Sequence, residues 1–228
     1  MKSLYNDGFI PGPEESEREF FERVNIVKKI VEDPKKYLPF KGTMKALNGA
    51  TLSIQSKSLP FHAASTLIIE IAGTTLSIIK EPSRLSLLFV SHQEVINHEL
   101  VHAKRAMFNE PGFEEMIAYQ TSSSKLRKTL SPMINSTHET LLFILLSFLI
   151  PFSALPFLVY FSYLLLRLWK KTMIFNRCKK HLKLSSDYNE KFLEGMTDKE
   201  ILLVASGGLK KLNTSSFRWK FLKEVYGK

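Results

Sequence analysis

Between Glu139 and Arg167 the chain carries 27 consecutive residues without a charge, Thr140 to Leu166, and no other stretch restricts its folding so sharply. As one helix they would span about 40 Å, more than the roughly 30 Å hydrocarbon core of a bilayer. The expectation is a membrane segment over 140–168. It is either a single tilted span or, with Pro151 and Pro156 inside it, a re-entrant helical hairpin. Lys125, Arg127 and Lys128 precede the run, and Arg167, Lys170, Lys171, Arg177, Lys179 and Lys180 follow it. In a single span that bias puts the C-terminal side in the cytoplasm. Residues Met1 to Gly8 lack the apolar core of an export signal, so a hairpin with the preceding domain facing the cytoplasm is the favoured arrangement.

The remaining chain is long enough for one well-buried domain with appendages. Its single cysteine, Cys178, excludes an intramolecular disulfide framework. Charge is unevenly distributed: of 32 Lys/Arg and 22 Asp/Glu, 15 basic and 6 acidic residues lie from Arg167 onward. Such a tail, starting where the apolar run ends, suits an anionic lipid surface better than a nucleic acid. A lipid bilayer is therefore an expected partner and nucleic acid is not.

Four regions follow. Residues 1–13, punctuated by Gly8, Pro11, Gly12 and Pro13, read as an irregular arm. Residues 14–139 read as the main domain. It begins with a capping box, Ser16 and Glu19, before an amphipathic helix carrying Phe20, Val24, Val27 and Val31. Strand patterns follow at 51–54, 66–71 and 75–79, with Gly73-Thr74 as a hairpin turn and a further strand at 85–90, giving a small, mostly antiparallel sheet. Ser91 and Glu94 then cap a helix expected to run to about Phe108, ended by Asn109-Glu110-Pro111-Gly112, before a short helix over 113–120. After the membrane segment, residues 169–228 read as a basic helical region, with a third capping box at Thr197 and Glu200 and a last helix from Ser215 or Ser216.

The chemistry is carried by His98-Glu99-Leu100-Val101-His102. At about 100° per residue, two histidines four apart share one helix face and can bind one Zn²⁺, while the intervening Glu can accept a proton from water. Catalytic zinc takes three protein ligands, and the Glu114-Glu115-Met116-Ile117-Ala118 segment just beyond a turn can supply the third. His62, His92, His138 and His181 have no comparable setting.

This arrangement resembles the zincin metallopeptidases, and in particular the gluzincin group, over about residues 91–120. In that group a downstream Glu with a small residue three positions later completes the ligand set, a pattern matched by Glu115 and Ala118. The resemblance implies His98, His102 and Glu115 as zinc ligands and Glu99 as general base. Lys104 and Tyr119 depart from common patterns, the twelve-residue connection from His102 to Glu115 is short, and Glu114 stays open as an alternative ligand. Tyr119 and Arg105 are candidates by residue type for stabilising a transition-state oxyanion.

The resulting expectation is an α+β protein: a zincin-like catalytic domain with its sheet packed on the motif helix, an apolar membrane helix or hairpin, and a basic helical tail. It would be a membrane-associated zinc metalloendopeptidase acting on membrane-proximal protein or peptide substrates. The alternative is a non-catalytic membrane scaffold or sensor in which zinc is structural or absent.

Overall fold

The computed structural model describes residues 1–38, 43–56, 64–71, 73–82, 90–134, 136–185 and 188–227. The amino-terminal segment, read as irregular, contains α1 (Lys2–Asn6) and then inserts Phe9 and Ile10 into the core. Ser16 opens α2 (Glu17–Glu32) through both halves of its capping box: the Glu19 N–H donates to the Ser16 hydroxyl and the Ser16 N–H to the Glu19 carboxylate. Phe20, Val24, Val27 and Ile30 recur at helical spacing and are buried, so one face of α2 is core. Pro34 cannot extend the α2 hydrogen-bond ladder and instead starts the short helix α3 (Pro34–Tyr37).

Four strands, β1 (Met44–Ala46), β2 (Thr51–Ser56), β3 (Ser65–Ile71) and β4 (Thr74–Pro82), form one sheet in the order β1-β2-β4-β3. The β3–β4 hairpin is antiparallel, with Ile71 opposite Thr74 and Gly73 at a φ of +72° in the turn. The expected mostly antiparallel sheet is corrected at its centre, where β2 and β4 run parallel, Thr51 beside Ser77 through Ser56 beside Pro82. The further strand expected at 85–90 lies outside the described residues except for Val90. Successive side chains of β4 divide between two layers. Leu76 and Ile78 join the main core with Val24 and Val27, while Ile79 packs with Ile96 on the motif helix.

That helix, α4 (His92–Lys104), starts where the Ser91 hydroxyl accepts from the Glu94 N–H. It stops at Lys104 rather than near Phe108, and Arg105 turns its side chain fully into the core. The chain then folds back as α5 (Glu114–Ala118), a 3₁₀ turn over Tyr119–Thr121, and α6 (Lys125–Leu130).

The apolar run forms a hairpin of α7 (Thr137–Phe148) and α8 (Leu155–Leu184), joined by a turn that contains Pro151. No helix of the described residues is long and apolar enough to cross a membrane. The twelve residues of α7 reach only about 18 Å. In α8 the apolar part, Leu155 to Leu166, is equally short before Arg167, Lys170 and Lys171. This corrects the membrane segment expected over 140–168, and with it the membrane localisation and cytoplasm-facing orientation that depended on such a segment. Arg167 pairs with Glu139 and donates to the Met133 carbonyl at 2.7 Å, tying the base of the hairpin together. The second half of α8 buries Phe175, Cys178 and Leu182 in the main core.

The C-terminal helices α9 (Asp198–Ala205) and α10 (Phe217–Tyr226) belong to that same core, with Trp219, Phe221 and Leu222 fully buried. Thr197 and Glu200 make the expected capping box, and Gly207, at a φ of +87°, ends α9. The Asp198 carboxylate accepts the N–H groups of Gly112 (2.8 Å) and Phe113 (3.1 Å), and the Glu110 carboxylate accepts the Asp198 N–H (2.6 Å). The α4–α5 turn is thereby clamped to the start of α9. A Cβ at Gly112 would lie 2.2 Å from Asp198 Oδ2. Gly112→Ala must therefore push the carboxylate off both donors, and we expect a loss of about 1–3 kcal/mol in urea unfolding. An unchanged midpoint would contradict this clamp.

Candidate metal centre

Two imidazoles and one carboxylate meet where α5 folds back against α4. His98 and His102, one turn apart, point their Nε2 atoms at each other across 3.2 Å. Glu115 lies on α5 with Oε2 3.5 Å from His98 Nε2 and Oε1 3.5 Å from His102 Nε2. One donor atom from each of the three lies within 4.8 Å of the others, and all three side chains are part-buried. The ligand set expected from the sequence is thus brought together, and it forms a triad able to hold a metal ion. Tetrahedral coordination with metal–nitrogen bonds of 2.0–2.1 Å requires donor separations of about 3.3 Å. The two Nε2 atoms, 3.2 Å apart, fit that requirement, and the Glu115 carboxylate faces them with one oxygen each at 3.5 Å.

Glu114, the alternative ligand, is placed elsewhere. Its Oε1 lies 2.8 Å from Nδ1 of His102, on the opposite side of the ring from the converging donors. Glu99 is 8% exposed, and the Thr66 hydroxyl on β3 donates to its Oε2 at 2.7 Å. Thr66 was not a sequence candidate, because 33 positions separate it from Glu99 and only the sheet brings it near. Tyr119 packs its ring on His98, with centroids 4.4 Å apart. Arg105 is not available to a substrate: its guanidinium is buried and donates to the carbonyls of Glu194 (2.8 Å) and Met196 (3.1 Å). Lys104 points away from the triad, lying over the Tyr5 ring and 3.9 Å from Glu194.

The electrostatics separate the two histidines. Burial, reinforced by the neighbouring His102, pushes His98 down to about 4, so it is neutral at pH 7 as a metal ligand must be. Burial acts in the same direction on His102, but its hydrogen bond to Glu114 and the charges of Glu115, Glu114 and Glu99 outweigh it and raise the group above the usual histidine value. Glu115 is raised by burial, against the pull of His102 and with the help of Glu99 and Glu114. Burial and the Glu115 charge also raise Tyr119, which keeps its hydroxyl protonated and able to donate.

A cavity of about 270 Å³ opens beside His98, Glu99 and Tyr119, with Val90 and Val95 in its wall and the Glu94–Arg127 ion pair (2.9 Å) at its rim. A larger cavity of about 760 Å³, between α2 and the β3–β4 turn, contains none of the triad. Size does not identify the site here; converging donors do. Comparison with protein-family models, with curated proteins and with solved structures finds no match.

The His98 environment sets a pH dependence for the metal-free protein. His98 is charged below about 6.5 in the unfolded chain but stays neutral in the folded chain down to about 4. At this group protons therefore favour the unfolded state, and the His98 contribution to stability falls as pH drops from 6.5 to 4, while the raised Glu115 acts in the opposite direction near the lower end. The contribution is about 2 kcal/mol after allowance for partial exposure. His102 has the opposite sign: its contribution is complete below 6.5 and is lost as pH rises through its raised value, so it does not cancel the effect in that window. His98→Asn should flatten the fall in chemical-denaturation free energy between pH 6.5 and 4; an equal fall in variant and wild type would contradict the assignment.

Proposed function

We propose that this chain is a zinc-dependent peptidase, with His98, His102 and Glu115 holding the ion and Glu99 as general base. The observation that carries the reading is the convergence of two imidazole nitrogens, 3.2 Å apart, and one carboxylate, with a buried Glu on the same helix as the imidazoles. Two nitrogens and one oxygen suit Zn²⁺, and three protein ligands leave a coordination position open, the pattern of catalytic rather than structural zinc. When bound, zinc supplies a Lewis acid and lowers the pKa of a coordinated water to about 7.

The chain's own residues account for the rest of the hydrolysis. Glu99 takes a proton from the attacking water and returns it to the leaving nitrogen as the C–N bond breaks. The Thr66 hydroxyl fixes the orientation of that carboxylate from the sheet. Tyr119, protonated and packed on His98, donates to the oxygen that gains charge as water adds to the carbonyl carbon. β3 pairs only with β4 among the described residues, leaving one side of an edge strand to hold an extended peptide by strand addition. The cavity walled by Val90 and Val95 suits an uncharged side chain next to the scissile bond, since the charges at its rim neutralise each other.

A purely structural zinc needs ligands but no base, and gives Glu99 no task. Glu99→Gln therefore separates the two roles. We expect the variant to keep about one zinc per chain while cleavage of a denatured protein substrate, followed by mass spectrometry, falls by about 10²–10⁴-fold. Wild-type protein without stoichiometric zinc, or a variant as active as the wild type, would refute the proposal.

A further inference from the structure

The two nitrogens of the His102 ring face two different carboxylates from adjacent positions of one helix. Nε2 looks toward the triad, 3.5 Å from Glu115 Oε1, and Nδ1 lies 2.8 Å from Glu114 Oε1. Neighbouring residues on a helix diverge by about 100°, so the first turn of α5 can reach both edges of one imidazole from opposite sides. His98 has a different support, the Tyr119 ring, tilted 55° to it with centroids 4.4 Å apart. The two histidines are thus held by unlike devices, one by a tilted aromatic contact and one by a carboxylate.

We propose that Glu114 is the positioning residue of the metal centre, acting through His102 and never touching the ion. The inference rests on the metal-site reading above and deepens it. A neutral imidazole has one N–H, and a carboxylate accepting it fixes the hydrogen on Nδ1 and leaves the Nε2 lone pair free for metal. The same hydrogen bond sets the plane of the ring and makes Nε2 a stronger donor. The contact is shielded, with the His102 and Glu114 side chains only 16% and 19% exposed, so water does not readily replace either partner. Glu114 also sits two residues after Gly112, whose N–H is held by Asp198. The accepting carboxylate is therefore carried on a backbone segment clamped from α9, as a positioning group requires.

The test compares Glu114→Ala and Glu114→Gln with wild type and Glu115→Gln in the full chain. Zinc affinity would be measured by competition with a chromophoric chelator, and ligand geometry by the visible absorption of the Co²⁺-substituted protein. Glu114→Ala should weaken zinc by about 10–100-fold and alter the cobalt spectrum, while remaining a binder. Glu114→Gln keeps an acceptor oxygen for the Nδ1 hydrogen and should return affinity to within roughly fivefold of wild type, with a near-native spectrum. If the alanine variant does not fold, Glu114→Leu, nearer in size and likewise without an acceptor for the Nδ1 hydrogen, replaces it in both measurements. An alanine variant with unchanged affinity and spectrum overturns the positioning role. Loss as complete as in Glu115→Gln overturns it too, because Glu114 would then be a ligand. Wild-type protein that takes up neither Zn²⁺ nor Co²⁺ instead overturns the metal-site reading itself, so the two failures are distinguishable.

Discussion

The fold-back of α5 onto α4 is the contact on which the site depends, because His98 and His102 come from one helix and Glu115 from the other. Neither α5, with five residues, nor the turn before it would hold that geometry unaided. The constraint comes from the C-terminal region. The Asp198 carboxylate accepts two N–H groups of the turn, Glu110 accepts the Asp198 N–H, and Arg105 at the end of α4 donates to the carbonyls of Glu194 and Met196. Hydrogen bonds to charged groups contribute about 1.5–3 kcal/mol each. Several of them across one short interface tie residues 105–113 to residues 194–198. The basic tail is therefore part of the scaffold of the candidate centre, with Trp219 and Phe221 in the same core as Met116 and Ile117.

The sheet supplies the other half of the geometry. Ser77 on β4 donates to the Ala103 carbonyl at 3.1 Å, Ile79 packs on Ile96, and Thr66 on β3 reaches Glu99. All three strand residues lie on one face: alternate residues of β4, and the position directly opposite Ile79 on β3. One face of the sheet thus fixes the height and rotation of α4. Glu99, the base of the proposed mechanism, is thus held from β3, which among the described residues pairs only with β4.

Much of this was readable from local signals. The caps at Ser16, Ser91 and Thr197, the hairpin at Gly73 and the phase of His98 and His102 follow from short-range hydrogen bonding and helical periodicity, and the structure has them. Readings that depended on distant partners fared worse. The parallel pairing of β2 with β4 leaves no trace in the alternation of either strand. The length of α4 is set by Arg105 turning inward to the carbonyls of residues 194 and 196, about 90 positions away. The hairpin turn near Pro151 was legible in the run over 140–166, but the membrane insertion was not sound, because that turn leaves two apolar pieces each too short to span a bilayer. Glu114 and Glu115 are indistinguishable by type; only the helix phase of α5 sends one to Nδ1 and the other to Nε2.

X-ray absorption at the zinc edge of purified, zinc-loaded protein tests the central claim most directly, because it reports the atoms around the ion. The geometry predicts a first shell of two nitrogens near 2.0–2.1 Å and oxygens near 2.0–2.2 Å, with imidazole outer-shell scattering from two rings and four ligands in all. A six-oxygen shell, a sulfur neighbour near 2.3 Å, or scattering from fewer than two imidazoles would contradict a centre built from His98, His102 and Glu115.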